Sequence, residues 1–174
     1  MVGTVAFGSL PTPLGEMTVA VTEDGVAGVG WGGRRRLGER LIDGLGLAEA
    51  DAPERTAPVL GELADYFAER LRVFTVPVDW RLTTAAQRSV LGTLYATVPY
   101  GRTVTYGELA ARSGGGIPAR AIGSIMGANP IPVIVPCHRV VASNGLGGFS
   151  GGEGVESKRW LLTLEGYLQP TLWG

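Results

Sequence analysis

Cys137 and His138 are neighbours, and they are the single cysteine and the single histidine among 174 residues. Any thiol chemistry in this chain therefore happens here, with an ionisable base one position away. The thiolate is the nucleophile of cysteine chemistry, and its surroundings decide whether it forms. A free thiol titrates near pH 8.5 and an imidazole near 6.5, so moving the proton from Cys137 to His138 is uphill by about 2.7 kcal/mol. A carboxylate accepting the other imidazole N–H would fix the ring tautomer and raise its basicity, as in hydrolytic triads. A lone cysteine is also a common inert packing residue, so the pair alone leaves that reading open. The flanking run Ile131-Pro132-Val133-Ile134-Val135 favours reactivity. It reads as a short buried apolar segment bracketed by prolines, which delivers Cys137 stiffly to the end of a core element.

The elements that hold this pair come from residues 83–174. Thr84-Ala85-Ala86-Gln87 has the form of a capping box ahead of Val90, Leu91, Leu94 and Tyr95, and Pro99-Tyr100-Gly101 ends that helix. A second capping box, Thr105-Tyr106-Gly107-Glu108, starts a short helix to about Arg112, broken by Ser113-Gly114-Gly115-Gly116. Pro118 stands where a first-turn proline would start the next helix, and Asn129-Pro130 stops it. Two short helices around a glycine turn, about 105–129, are a helix-turn-helix candidate. In the second helix Ile122, Ile125 and Met126 form the buried stripe, leaving Arg120, Gly123, Ser124 and Gly127 outward. A major-groove reader would carry several long polar side chains there. This bare face instead suits close approach to a narrow groove, with Arg120 long enough to fill a gap in a base stack. Tight packing of small residues against another helix is the alternative.

Residues 1–82 read differently. Segments 2–7, 16–21 and 26–31 are β-prone, and Glu23-Asp24-Gly25 is a turn between the last two. Residues 33–52 support no assignment. Val59, Leu60, Leu63, Tyr66, Phe67 and Leu71 recur at helical spacing, which predicts an amphipathic helix over 56–70, and 73–78 reads as a last strand. The sequence thus predicts two domains, 1–82 with a small sheet plus helices, to which only the resemblance given below assigns a mainly structural role, and 83–174, mostly helical and carrying the chemistry.

A hydrophobic content of 45% excludes a disordered chain, and the apolar runs are far shorter than the roughly 20 residues that cross a bilayer. Met1-Val2-Gly3-Thr4 lacks the marks of a secretory signal. One cysteine excludes an internal disulfide, and one Cys with one His cannot supply a zinc site, so a cytoplasmic protein without metal is expected. The net charge of −1 conceals an asymmetry: eight basic against twelve acidic residues in 1–82, and seven against four in 83–174, giving −4 and +3. The positive half suits modest, salt-sensitive binding to a polyanion.

The stretch Ala128-Asn129-Pro130-Ile131-Pro132-Val133-Ile134-Val135-Pro136-Cys137-His138-Arg139-Val140 resembles the active-site signature of the O6-alkylguanine-DNA alkyltransferases. Val104-Thr105-Tyr106-Gly107-Glu108-Leu109-Ala110, Ala119-Arg120-Ala121-Ile122-Gly123, Phe149-Ser150-Gly151-Gly152 and Leu161-Leu162-Thr163-Leu164-Glu165-Gly166 extend the likeness over most of 83–168. Weaker likeness in Pro11-Thr12-Pro13-Leu14-Gly15 and Gly28-Val29-Gly30-Trp31 reaches the N-terminal hairpin. The resemblance implies a two-domain α/β protein, with a ribonuclease-H-like N-terminal domain and a helical C-terminal domain. It implies direct-reversal repair of double-stranded DNA, without a cofactor, by a chain acting as a monomer. An alkyl group would move irreversibly from O6 of a flipped-out guanine to Cys137.

The same resemblance assigns roles. His138 and Glu165 would relay the thiol proton, with a water between thiol and imidazole. Tyr106 would donate toward the leaving base, and Asn129 would brace the helix-turn-helix against the active-site turn. Arg120 would occupy the space of the flipped base, on a helix lying in the minor groove, with Ala119, Gly123, Ser124 and Thr105 at the DNA. The substrate pocket would include Met126, Pro132 as a stacking surface, Phe149 over the alkyl group, Ser150 at O6 and Gly151 leaving space. The carbonyls of Cys137 and Val140 would receive the exocyclic amine, and Lys158 would tie the loop down. The sequence departs from many relatives in having Phe149 where they have tyrosine, and it lacks the ligands of the structural zinc some of them carry.

Four other readings of the residues stand beside this one. A lesion-binding protein without transfer is disfavoured by Cys137, a redox protein by the missing resolving cysteine, and a helix-turn-helix regulator by the bare helix face. A cysteine hydrolase using Cys137 and His138 stays open. The glycine run 145–152 lacks the Lys-Ser/Thr ending of a phosphate-binding loop.

Overall fold

The computed structural model describes residues 3–149 and 151–170, and these form an α/β fold of two compact units, divided between Thr83 and Thr84. In the first unit, strands β1 (Thr4–Leu10), β2 (Met17–Thr22) and β3 (Gly25–Trp31) form an antiparallel meander. The two-residue loop Glu23-Asp24 turns β2 into β3, with Thr22 opposite Gly25. Residues 33–52, unassigned from sequence, form a helical turn α1 (Arg35–Gly38) that runs on as a π-helical stretch to Gly44. They end in a short strand β4 (Ala48–Glu49) parallel to β1, giving the order β3-β2-β1-β4.

Every residue of β2 is buried, because both faces of the sheet are covered. Leu37, Leu41 and Leu47 pack with Val5, Ala20 and Ala27 on one face. Helix α2 (Pro53–Phe67) covers the other, so close at Gly8 that a Cβ there would lie 2.9 Å from Leu60. The helix starts three residues before the sequence expectation of 56, because Pro53 occupies the first turn, where its missing N–H costs nothing.

The strand expected over 73–78 is absent apart from one bridge, Val26 with Val78. The backbone N–H groups of Thr75 and Val76 are taken instead by the Glu62 carboxylate, at 2.8 and 3.1 Å. Pro77 has no N–H to give a ladder.

The second unit opens with helix α3 (Ala85–Thr97), whose capping box joins Thr84 and Gln87. Strand β5 (Val104–Thr105) leads into helix α4 (Tyr106–Ser113) through a second capping box, Thr105 with Glu108. Gly114, Gly115 and Gly116 all take positive φ, turning the chain into helix α5 (Ala119–Gly127), which packs against α4. Pro118 sits just before this helix as its cap residue, one position outside the expected first turn. Strand β6 (Val140–Val141) pairs parallel to β5, and helix α6 (Val155–Leu164) closes the unit.

The segment 131–135 is buried as expected and forms a tight turn: Val135 N–H donates to Ile131 O at 2.9 Å, and Val133 has φ 73°. Left-handed backbone at a β-branched residue is strained, and it persists here under complete burial.

Candidate active site

The two-residue sheet is what assembles the site. Pairing Val104 with Val140 and Thr105 with Val141 sets Tyr106, the first residue of α4, beside the 3₁₀ turn Cys137–Arg139 that immediately precedes β6. Cys137 is 6% exposed and His138 is fully buried. Its thiol borders a cavity of about 380 Å³ lined by Tyr106, Gly123, Met126, Gly127, Gly148 and Phe149.

Glu165 caps the C-terminus of α6 and turns its carboxylate inward to His138, with Nε2 to Oε2 at 2.6 Å. A carboxylate can only accept, so Nε2 carries the hydrogen and Nδ1 presents its lone pair. Nδ1 is buried and has no hydrogen-bond partner among the described residues.

Burial raises the Cys137 thiol above its usual value, although the Asn129 side chain and the Lys158 ammonium pull the other way. For His138 the sequence led us to expect raised basicity from the carboxylate. Burial wins and holds the imidazole below its usual range, against the pull of Glu165 and with Arg139 and Lys158 adding to it. The resting pair is therefore neutral thiol and neutral imidazole. The Glu165 carboxyl, which burial alone would raise, lies well below the carboxylate range because His138 and Arg139 both donate to it.

Sequence reasoning missed Arg139 as a member of the site. Its Nε reaches Glu165 Oε1 at 2.8 Å, Nη2 reaches Oε2 at 3.0 Å, and Nη1 donates to Val98 O at 3.0 Å. An arginine in a predominantly apolar run was the available signal, since arginine is buried almost only when paired.

Lys158 is also fully buried, and its Nζ bridges Val140 O at 2.6 Å and Gly148 O at 3.1 Å. It thereby ties the glycine loop to β6, and burial brings its pKa down to about 8. The Val140 carbonyl, expected to face substrate, thus already accepts a hydrogen bond.

Asn129 donates Nδ2 to Val135 O at 2.9 Å and accepts Ile131 N–H at 3.0 Å, stapling the end of α5 to the turn before Cys137. Burial raises the Tyr106 hydroxyl, which accepts the Gly148 N–H and stays protonated at neutral pH. Gly147 has φ 74°, and a Cβ on it would stand 2.5 Å from that hydroxyl.

Met126 and Phe149 line the cavity with Cys137, whereas Pro132 and Gly151 do not. Ser150 lies outside the described residues. On α5, Ile122, Ile125 and Met126 are buried, and Ala119, Arg120, Gly123 and Ser124 are exposed. A Cβ added at Gly123 or Gly127 would meet nothing within 4 Å, so these glycines are not there for tight packing within the unit. Thr105 is half-buried and its hydroxyl is engaged as the α4 cap. Of the charges in this half, Arg139, Lys158 and Glu165 are internal, leaving five exposed arginines against three exposed glutamates.

Residues 85–167 match the family model described as the 6-O-methylguanine DNA methyltransferase DNA-binding domain. The methylated-DNA–protein-cysteine methyltransferase of Salmonella typhimurium is 39% identical, covering 91% of this chain and 94% of its own. The human protein of the same name is 36% identical over 91% of this chain and 79% of its own. The crystal structure of Mycobacterium tuberculosis OGT in complex with DNA superposes with a TM-score of 0.76 at 32% identity, covering 93% of each chain. The chain belongs to the methylated-DNA–protein-cysteine methyltransferase family.

Proposed function

We propose that this protein repairs alkylated DNA by transferring the alkyl group, methyl in the simplest case, from O6 of guanine to Cys137. The observation that carries this reading is the buried thiol at a cavity of about 380 Å³, backed by a His138–Glu165 pair and faced by a protonated tyrosine hydroxyl. In the reaction the S–C bond forms as the C–O6 bond breaks. The thiol proton passes to His138 Nδ1, by way of a bridging water, while Tyr106 supplies a proton or hydrogen bond to the departing base. Guanine leaves neutral with the proton from Tyr106, and the proton taken by His138 restores that hydroxyl, so one proton in all moves from thiol to guanine.

Raised thiol and lowered imidazole make free thiolate scarcer than in solution, so proton transfer accompanies attack. That protects a nucleophile used once. The product thioether is a very poor leaving group, and with no second cysteine to resolve it each molecule reacts a single time.

A base stacked in a duplex cannot reach a buried thiol, so the target is flipped out at a cost of a few kcal/mol. We assign α4, the glycine turn and α5 as a helix-turn-helix, with the bare face of α5 in the minor groove and Arg120 in the vacated stack. Ala119, Gly123, Ser124 and the α4 cap Thr105 lie along the approach to DNA. The sheet order β3-β2-β1-β4, with β4 parallel to β1, supports a ribonuclease-H-like first unit of mainly structural role. No helix among the described residues is long and apolar enough to cross a membrane. We place the protein in the cytoplasm, acting as a monomer on duplex DNA without a cofactor.

The test is mass spectrometry after incubation with an excess of duplex containing O6-methylguanine. One methyl transferred per chain, on the peptide containing Cys137 and never more than one equivalent, is the expected result. Unmodified protein that retains the duplex would point to lesion binding alone, and catalytic turnover would point to a hydrolase.

A further inference from the structure

We propose that Arg139 is a positioning residue of the proton relay: its guanidinium fixes the Glu165 carboxylate in one orientation and, by sharing Oε2 with the imidazole, keeps His138 neutral until the thiol proton arrives. The proposal rests on the function above only for the identity of the reacting thiol.

Geometry comes first. Arg139 is 6% exposed and presents two donors to the two oxygens of Glu165, Nε to Oε1 at 2.8 Å and Nη2 to Oε2 at 3.0 Å. A planar fork against a planar carboxylate allows one orientation, whereas a point cation such as lysine allows many. The third donor, Nη1 on Val98 O at 3.0 Å, anchors the fork to the end of α3. Gly101 N–H, 3.4 Å from Oε1, holds the same oxygen from the loop beyond that helix. Without the fork, the carboxylate loses the two-point contact that fixes its plane and is freer to turn away from Nε2.

Charge comes second. Oε2 receives both Nε2 of His138 and Nη2 of Arg139. The charged groups acting on His138 are Arg139 from its own turn, Lys158 from α6, and Glu165 at the end of α6, with the neutral Cys137 thiol next to it in sequence. Only Glu165 is negative at rest, and the guanidinium already neutralises it. A protonated imidazole would be a third cation against one anion in a buried space, which is costly. Neutral His138 with Nε2–H on Glu165 leaves Nδ1 as a base, the form that can accept the thiol proton.

The composition makes the test direct, because one histidine and one cysteine need no assignment. Ring ¹⁵N shifts are followed from pH 5.5 to 8.5 in the wild type, Arg139→Lys and Arg139→Gln. Single-turnover methyl transfer from an O6-methylguanine duplex is followed from pH 6 to 9. We expect a neutral Nε2–H ring in the wild type throughout, and titration at least one pH unit higher in Arg139→Gln. Arg139→Lys should keep the ring neutral yet lose tenfold or more in rate near pH 7, recovering toward pH 9. In a Glu165→Gln background the same lysine change should cost less than a further twofold. An imidazolium in the resting wild type at pH 7 would overturn the proposal even if neither variant folds. So would a lysine defect that is constant with pH and undiminished in the Glu165→Gln background. Failure of the wild type to transfer methyl would sink the function proposed above, while the ring titrations would still report on Arg139.

Discussion

His138 and Glu165 are 27 positions apart in sequence and 2.6 Å apart in the fold, both side chains sealed from solvent. The pairing commits Nε2 to the carboxylate and leaves Nδ1, without a hydrogen-bond partner among the described residues, available as a base. Removing the base by His138→Ala should slow methyl transfer at pH 7 by about 10²- to 10⁴-fold, the usual range for a lost general base. The rate should climb as pH approaches the free-thiol range, because hydroxide then takes the proton. Rapid-quench transfer from pH 6 to 9.5 measures this, and a defect of constant size across that range would mean that His138 only packs.

Glu165 also couples the site to stability. Its folded-state pKa is depressed, so its contribution is fully present above the unfolded carboxyl value near 4.5 and fades as pH falls toward the folded value. Glu165→Ala strands Arg139 and His138 without their acceptor. Breaking a buried pair in this way costs about 3–5 kcal/mol at neutral pH. Urea denaturation at pH 7 and pH 3 should show a deficit that narrows at the acid end. A loss under 1 kcal/mol at pH 7 would show that Arg139 finds another partner.

Much of this site was legible in the sequence, because local chemistry fixed it. Two capping boxes marked the starts of α3 and α4, and Cys137 beside His138 marked a candidate nucleophile and base, whereas Glu165 entered only through the family resemblance. Arg139 was missed, since its partner is 26 residues away and an arginine in an apolar run signals that a partner exists without saying which. The turn at 131–135 has the composition of a strand, and only tertiary burial explains a valine held at φ 73°. In the first unit, β4 amounts to two residues placed by β1, and the segment at 75–76 is held by the Glu62 side chain. In each case long-range pairing decided what local pattern left open or misread.

Lys158 holds the loop that carries Phe149, so its removal should act on the pocket before the fold. Lys158→Met keeps the stem and deletes both carbonyl contacts. Transfer should fall several-fold, and limited proteolysis should cut more readily within 142–152. The pH dependence has a definite sign. Burial lowers the Lys158 pKa to about 8, so the charged form is penalised in the folded state below that value, and the penalty fades between about 8 and 10.5. Wild-type stability should gain on the order of 3 kcal/mol from this group over that window. Chemical denaturation at pH 7.5 and 10 should find that gain missing in Lys158→Met, and identical slopes in both proteins would refute the assignment.

Arg120 tests base extrusion separately from chemistry. The residue is exposed, and the thiol cavity has no lining atom from it. Arg120→Ala should slow reaction with O6-methylguanine in duplex DNA by about tenfold or more, while reaction with the free modified base stays within twofold. A lost duplex contact of about 1.4 kcal/mol corresponds to tenfold. Equal losses on the two substrates would remove Arg120 from the stack. With only five exposed arginines against three glutamates in this half, affinity for undamaged duplex should be modest and fall with salt. A preference for one palindromic sequence would contradict the bare helix face.

That bare face makes the last prediction. Gly123 lies mid-helix in α5, is exposed, and has open space where a Cβ would stand. If the glycine serves only the fold, Gly123→Ala should cost stability; if it serves approach to DNA, alanine should stabilise the helix by about 0.5–1 kcal/mol through backbone entropy. The second outcome is expected, as a rise in melting temperature. Alanine is small enough to leave repair nearly intact, so the companion change is Ser124→Glu, which adds a carboxylate to the same outward face without touching the thiol cavity. Its melting temperature should stay within a degree or two of the wild type, and methyl transfer to the free base should be unchanged. Duplex affinity should drop by about tenfold at low salt, with the deficit shrinking as salt screens the repulsion. Full duplex affinity in Ser124→Glu would place the DNA on another face of the unit.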